Sequence, residues 1–282
     1  MFSHLPHYLA LMRIDKPVGW LLLLWPTLWA LWIATHGQPS GLYIWVFTLG
    51  VFVMRSAGCV INDYADRDID PMVERTQQRP IAAGHVSAKQ ALLLFVVLCL
   101  FALGLLFLLP TRVWPWSIPA VVITVAYPFM KRFIQAPQLV LGLAFSFGIP
   151  MVYVACAKPF DSVFSLLFIA NFIWVLMFDT VYAMSDREDD LKIGVKSSAI
   201  LFGRFDRLIL AILQASVVLL WCLLMNLLSL SPLFLVSLAL VIALFTYQQW
   251  LVRDRARDAC FQAFLNNAWV GGIIWFGLVA AL

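Results

Sequence analysis

The chain has 282 residues, of which 63% are hydrophobic and only 12% charged, with a formal net charge of +4 and a mean hydropathy of +0.92. Soluble domains are about half apolar, so this composition excludes a soluble enzyme or binding module and indicates a polytopic membrane protein. The positive balance is not a nucleic-acid footprint, because no basic stripe exists outside the loops that join apolar segments.

Apolar stretches near the spanning length of about 20 residues recur at roughly 18–36, 42–60, 89–109, 113–130, 138–157, 163–182, 206–227, 231–251 and 261–281. This predicts an all-α membrane bundle of about nine transmembrane helices around a central cavity, a single domain over 1–282. The third and fourth segments lie close together and are interrupted by Pro110, Pro115 and Pro119, which leaves eight as the alternative count. The first segment lacks a small-residue cleavage pattern and reads as a span, not as a cleavable signal. All of the 19 basic residues except Arg112 and Lys158 fall in the N-terminal segment, the loops after segments 2, 4, 6 and 8, or the adjoining segment ends. The positive-inside rule then places the N-terminus and these loops in the cytoplasm.

Two acidic clusters stand out. The first runs Asn62-Asp63-Tyr64-Ala65-Asp66-Arg67-Asp68-Ile69-Asp70 and the second runs from Asp179 to Asp190, and together they hold four and five of the chain's 15 acidic residues. At helical pitch Asn62, Asp66 and Asp70 share a face, as do Asp179, Asp186 and Asp190. Each cluster sits where an apolar segment meets a long basic loop, about 61–88 and 183–205, long enough to cap a cavity. A lone acidic loop at a membrane surface is a solvated turn. Two on the same side, with matching Asp-x-x-x-Asp spacing, point to hard cations and a diphosphate instead. Interleaved arginines supply counter-charge for phosphate. From the residues alone, a CDP-alcohol phospholipid synthase and a cation-coupled transporter stay open. The first concentrates its aspartates in one motif, and the second places ion sites near the midplane.

The remaining chemistry-bearing residues are dispersed. Cys59, Cys99, Cys156, Cys222 and Cys260 form no CxxC pair, and His4, His7, His36 and His85 lie in separate peripheral segments, so zinc is not implied.

Several motifs together carry a family resemblance: Arg13-x-Asp15-Lys16-Pro17-x-Gly19, the Asn62–Asp70 run, Thr76-x-x-Arg79-Pro80, Tyr127-Pro128-x-x-Lys131-Arg132, Asp179-x-x-Tyr182 through Asp190, and Ala259-Cys260-Phe261-x-Ala263-Phe264-x-Asn266-Asn267. From about residue 11 to the last segment the chain resembles the UbiA-type intramembrane prenyltransferases, and among them the bacterial members that prenylate 4-hydroxybenzoate for ubiquinone synthesis. The resemblance implies Mg²⁺ held by Asn62, Asp66, Asp70, Asp186 and Asp190, and a polyprenyl diphosphate donor. It implies catalytic roles for Asp66, Asp70, Asp186, Asp190 and Arg132. Arg13, Lys16, Arg79, Tyr127, Lys131, Asp179, Tyr182 and Lys192 become substrate-binding candidates, with Trp174 and Phe178 as possible linings of the donor path. Menaquinone-, haem- and chlorophyll-type acceptors are the alternatives within the family. The implied setting is the bacterial inner membrane, with the lipid bilayer and other quinone-pathway enzymes as partners and no nucleic acid. Asn266 and Asn267 are read as interhelical hydrogen-bonding residues, and the Arg253–Asp258 run as a positive-inside loop.

Overall fold

A computed structural model describes residues 5–130 and 132–282. His4 and Lys131 lie outside the described residues, and among those described the regular structure is entirely helical. A short surface helix α1 (Leu5–Leu11) precedes α2 (Val18–Ala34), α3 (Gly41–Ala65), α4 (Ala88–Leu106), α5 (Trp114–Met130), α6 (Gln138–Ser146), α7 (Gly148–Ala155), α8 (Ser162–Ile193), α9 (Ser198–Phe202), α10 (Asp206–Leu227), α11 (Phe234–Leu251) and α12 (Arg257–Ala281). Among the described residues eight stretches are long and apolar enough to cross a membrane, and α2 is a shorter apolar helix. Its 17 residues reach the lower end of the spanning range, so the nine expected segments are all present. The third and fourth are separate helices, joined by a turn at Thr111–Val113.

Three boundaries differ from the expectation. The fifth segment breaks at Phe147 into α6 and α7. Pro150 has no N–H to give to Ser146, and the Phe147 N–H bonds back to Ala144 in a tighter turn. The second and sixth segments run on as helix past their apolar stretches, to Ala65 and Ile193. Residues 183–193 are therefore helical, and the second cap loop is shorter than the sequence suggested.

Helices α2, α3, α5, α6 and α8 pack in succession, with α12 closing against α2 and α8. At their centre the Trp29 ring lies 5.1 Å from Trp174 in a tilted contact and 5.2 Å from Trp221 edge-to-face, all three buried. Close approach of α12 here requires glycine, since a Cβ on Gly271 would collide with the Trp25 and Trp174 rings. The backbone carbonyl of Gly271 also accepts from Trp29 Nε1 at 3.1 Å. Asn267 accepts from Trp174 Nε1 at 3.3 Å and Asn266 accepts from Gln248 at 3.2 Å, tying α12 to α8 and to α11. Such bonds contribute about 0.6 kcal/mol each in membrane bundles. The outward faces of α4 and α5 present Leu93, Leu100, Phe101, Ile118 and Val122, which suits contact with lipid tails.

Candidate active site

The first acidic motif begins on a helix and finishes on a turn. Asn62 and Asp63 occupy the last turn of α3, while Asp66 is its C-cap at φ −94°, ψ 4°, with its N–H bonded to Asn62 O at 2.9 Å. Asp70 opens a 3-10 turn whose N–H bonds to Asp66 O at 2.8 Å, and the Thr76 hydroxyl donates to Asp70 O at 3.0 Å. The helical register expected through Asp70 therefore stops at Asp66. A turn, not helical pitch, returns Asp70 beside it. Asn62 Nδ2 donates to Asp66 Oδ2 at 3.3 Å.

The second motif keeps its register, because Asp179, Tyr182, Asp186 and Asp190 all lie on the unbroken α8. The helix stops at Gly194, whose φ of +72° is the left-handed cap that glycine adopts without strain.

Arginines from the first cap segment join the two motifs. Arg79 Nη1 lies 2.9 Å from Asp70 and 3.1 Å from Asp63, and Arg13 reaches Asp63 at 2.6 Å. Arg75 forks onto Asp186, with Nε at 2.9 Å and Nη2 at 2.5 Å, and its guanidinium stands 4.6 Å over the Tyr182 ring. Burial pushes the Asp70 carboxyl above its usual range, with Arg79 opposing and Asp63 and Asp66 reinforcing the rise. For Arg79 burial acts to lower the pKa, but Asp63 and Asp70 outweigh it and hold the guanidinium charged.

These groups share one cavity of about 980 Å³. Of the expected residues, Arg13, Lys16, Asn62, Asp66, Asp70, Arg79, Tyr127, Asp179, Tyr182, Asp186 and Asp190 line it, and so does Phe178. Trp174 does not; it is buried in the tryptophan core. Arg132 also stands outside the wall, donating to Ala65 O at 2.6 Å, where it caps the carboxyl end of α3. Lys192 projects outward, 73% exposed and 3.7 Å from Asp189. Both side chains are thus turned to a nearer oxygen, Ala65 O for Arg132 and the Asp189 carboxylate for Lys192.

The cavity also contains residues that the motifs did not single out: Arg55, Arg75 and Lys196. The signal for Arg55 was available, since it is the only charged residue in the apolar stretch 42–60. Its guanidinium stands 5.6 Å over the Phe145 ring, its Nε is buried without a hydrogen bond, and a Cβ at Gly19 would touch it. Arg55, Tyr127 and Asp179 line the same cavity. Below this polar end the wall turns apolar, through Met54, Phe47 and Val51 of α3 to Val96, Leu100 and Leu103 of α4, the last three partly open to lipid.

Acidic motifs at one end of an apolar intramembrane cavity are accompanied by a match of residues 23–272 to the model of the UbiA prenyltransferase family. The chain belongs to that family. It is 53% identical over 274 residues to the 4-hydroxybenzoate octaprenyltransferase of Tolumonas auensis, covering 97% of this chain and 96% of the relative. The enzyme of that name from Aeromonas hydrophila is also 53% identical, over 272 residues, covering 96% and 95%. The apo structure of a UbiA homolog from Aeropyrum pernix K1 shares the fold at TM-score 0.81 and 24% identity, covering 93% of this chain and 97% of that one. A UbiA homolog from Archaeoglobus fulgidus, solved bound to GPP and Mg²⁺, aligns at TM-score 0.73 and 20% identity, covering 98% and 100%.

The donor set of this UbiA-family cavity suits a hard cation. Asn62, Asp66, Asp70, Asp186 and Asp190 offer only oxygen ligands on the side chains that face it. Among the described residues no three carboxylates converge closely enough to enclose an ion unaided, since Arg79 and Arg75 stand on Asp70 and Asp186. Mg²⁺ is commonly bound by one or two carboxylates completed by water and substrate phosphate, and the arrangement fits that mode.

Proposed function

We propose that the chain transfers a polyprenyl group from polyprenyl diphosphate to the ring carbon ortho to the hydroxyl of 4-hydroxybenzoate, releasing diphosphate, as a step of ubiquinone biosynthesis. The observation that carries this reading is the single cavity itself. Carboxylates and arginines line one end, and an apolar wall runs from them toward lipid. Only an amphipathic donor with a charged head and a long hydrocarbon tail uses both ends.

Asn62, Asp66 and Asp70 would hold one Mg²⁺, and Asp186 with Asp190 a second. Cations held there would supply positive charge that favours departure of the diphosphate. Arg79 and Arg75 already point at the same place, and they donate to the diphosphate as its charge grows. Arg13 and Lys16 add positive charge at the rim. As the allylic C–O bond breaks, its electron pair leaves with the diphosphate. The allylic carbon then bonds to the acceptor ring, and loss of the ring proton restores aromaticity. Aromatic and aliphatic side chains around the prenyl tail, Phe47, Phe145 and Phe178 among them, exclude water that would otherwise trap the cation.

For the acceptor carboxylate the favoured partner is Arg55. Its Nε lies buried with no hydrogen-bond partner, a donor that a bound carboxylate would satisfy, and its planar fork matches a carboxylate. Arg132, Arg13 and Lys16 are the residues that the sequence offers for this role; Arg132 faces the α3 backbone.

The membrane is the bacterial inner membrane in this reading, with the cavity's polar end facing the cytoplasm. Support comes from the gathering of basic residues around that end, whereas Arg112 lies by the carbonyls of Val154 and Ala155, where α7 ends. A lipid-anchored product consumed in the same bilayer supports contact with other quinone-pathway enzymes. The metal reading is tested by dialysing the purified protein against EDTA. Activity is expected to vanish and to return with Mg²⁺, and with Mn²⁺ to a lesser degree. Full activity in chelated buffer would contradict it.

A further inference from the structure

The connection between α11 and α12 looks in sequence like a basic loop that only fixes topology. Two of its arginines instead pair with distant acids, Arg257 with Asp189 of α8 and Arg255 with Asp206 of α10. Arg257, the first residue of α12, donates from Nη2 to Asp189 Oδ2 at 2.9 Å and from Nη1 to Glu74 Oε2 at 3.0 Å. Asp189 lies between Asp186 and Asp190 on α8, and Glu74 precedes the Arg75 that forks onto Asp186. One guanidinium therefore spans the two acidic segments, across sequence separations of 183 and 68 residues. Two residues earlier, Arg255 holds the buried Asp206 with contacts of 2.6 to 3.2 Å, and Asp206 in turn holds Arg187 at 3.0 Å, again on the motif helix. Arg255 does so at φ +55°, a left-handed conformation that costs a non-glycine residue free energy and must be offset by those bonds.

We infer that Arg257 is a positioning residue for the diphosphate end of the cavity: it fixes the first cap segment against α8, so that Asp70 and Arg79 on one side and Asp186 and Asp190 on the other face one another at the right separation. The inference rests on the metal and diphosphate reading given above. Arg257 touches neither substrate nor the reacting atoms. Its effect is expected where the two motifs must act together, on donor and cation, and not on the acceptor.

The experiment uses the full-length protein in detergent. It measures kcat, donor KM and acceptor KM, together with bound Mn²⁺ by electron paramagnetic resonance, for the wild type, Arg257→Gln, Arg257→Lys, Glu74→Gln and the double variant. Arg257→Gln is expected to raise donor KM and the Mn²⁺ Kd about fivefold each, the upper range for a partly exposed ion pair, with acceptor KM unchanged. Arg257→Lys recovers only part of the loss, because one ammonium cannot span two carboxylates. The double variant is no worse than Arg257→Gln alone, since both break one link. Unchanged donor KM and Mn²⁺ binding in a folded Arg257→Gln variant would overturn the inference, as would a loss falling equally on the acceptor. A wild-type protein that binds no Mn²⁺ would overturn the metal reading beneath it, a result distinguishable from both.

Discussion

Alanine at Asp66, Asp70, Asp186 or Asp190, one at a time, is expected to lower the rate at least about a hundredfold, the scale seen when one preorganised electrostatic group is removed. In the proposed mechanism each carboxylate supplies an oxygen to a cation, and Asp70 and Asp186 also balance the charge of Arg79 and Arg75. Asp186 shows the second role most directly, since it takes both arms of Arg75 at 2.9 and 2.5 Å. Asp70 takes Arg79 by a single nitrogen, Nη1, which donates to both carboxylate oxygens at 3.0 and 2.9 Å. Asp161→Ala is the control. That carboxylate caps α8 at its other end, accepting from the Phe164 N–H at 2.9 Å, so its loss costs about 1 kcal/mol of stability and leaves turnover near normal. Steady-state rates of folded variants decide the matter. Equal behaviour of Asp161→Ala and Asp186→Ala would remove the site assignment.

Arg55→Gln is expected to raise acceptor KM at least about thirtyfold, from the 2 kcal/mol or more lost when one partner of a desolvated charge pair is truncated. Donor KM should change little, because the diphosphate end keeps Arg13, Arg75 and Arg79. Arg55→Lys keeps the charge but not the planar fork, and falls between the two. Acceptor analogues without a carboxylate make the assignment specific: wild type and Arg55→Gln should handle them alike. A preserved difference with those analogues would move Arg55 to the diphosphate side of the cavity. Arg132→Lys, in contrast, should leave acceptor KM near normal, since its guanidinium serves the Ala65 carbonyl.

Local pattern carried the helices. Runs of apolar residues marked all nine segments, and the aspartate spacing put both motifs at one end of the bundle. Register along α8 was legible because nothing interrupts helical pitch between Asp179 and Asp190. It was not legible beyond Asp66, where the chain leaves the helix and hydrogen bonds from Thr76 and the Asp70 N–H shape the turn. The partners of Arg75, Arg132 and Arg257 were beyond reach for a different reason. Each is set by helices that meet in space across 67 to 183 residues of chain, and a basic residue at a membrane face reads the same whether it anchors topology or holds an acid. Arg55 was legible as the one charge in the stretch 42–60, but its place on the cavity wall was not.

The most direct measurement of the central claim is product formation by the purified protein from a labelled polyprenyl diphosphate and a panel of aromatic acceptors in the presence of Mg²⁺. The account predicts a prenylated 4-hydroxybenzoate substituted ortho to the hydroxyl, with stoichiometric diphosphate, and much weaker turnover of acceptors that lack the carboxylate. Prenylation of a different acceptor in preference to 4-hydroxybenzoate, or diphosphate release without carbon–carbon bond formation, would contradict it.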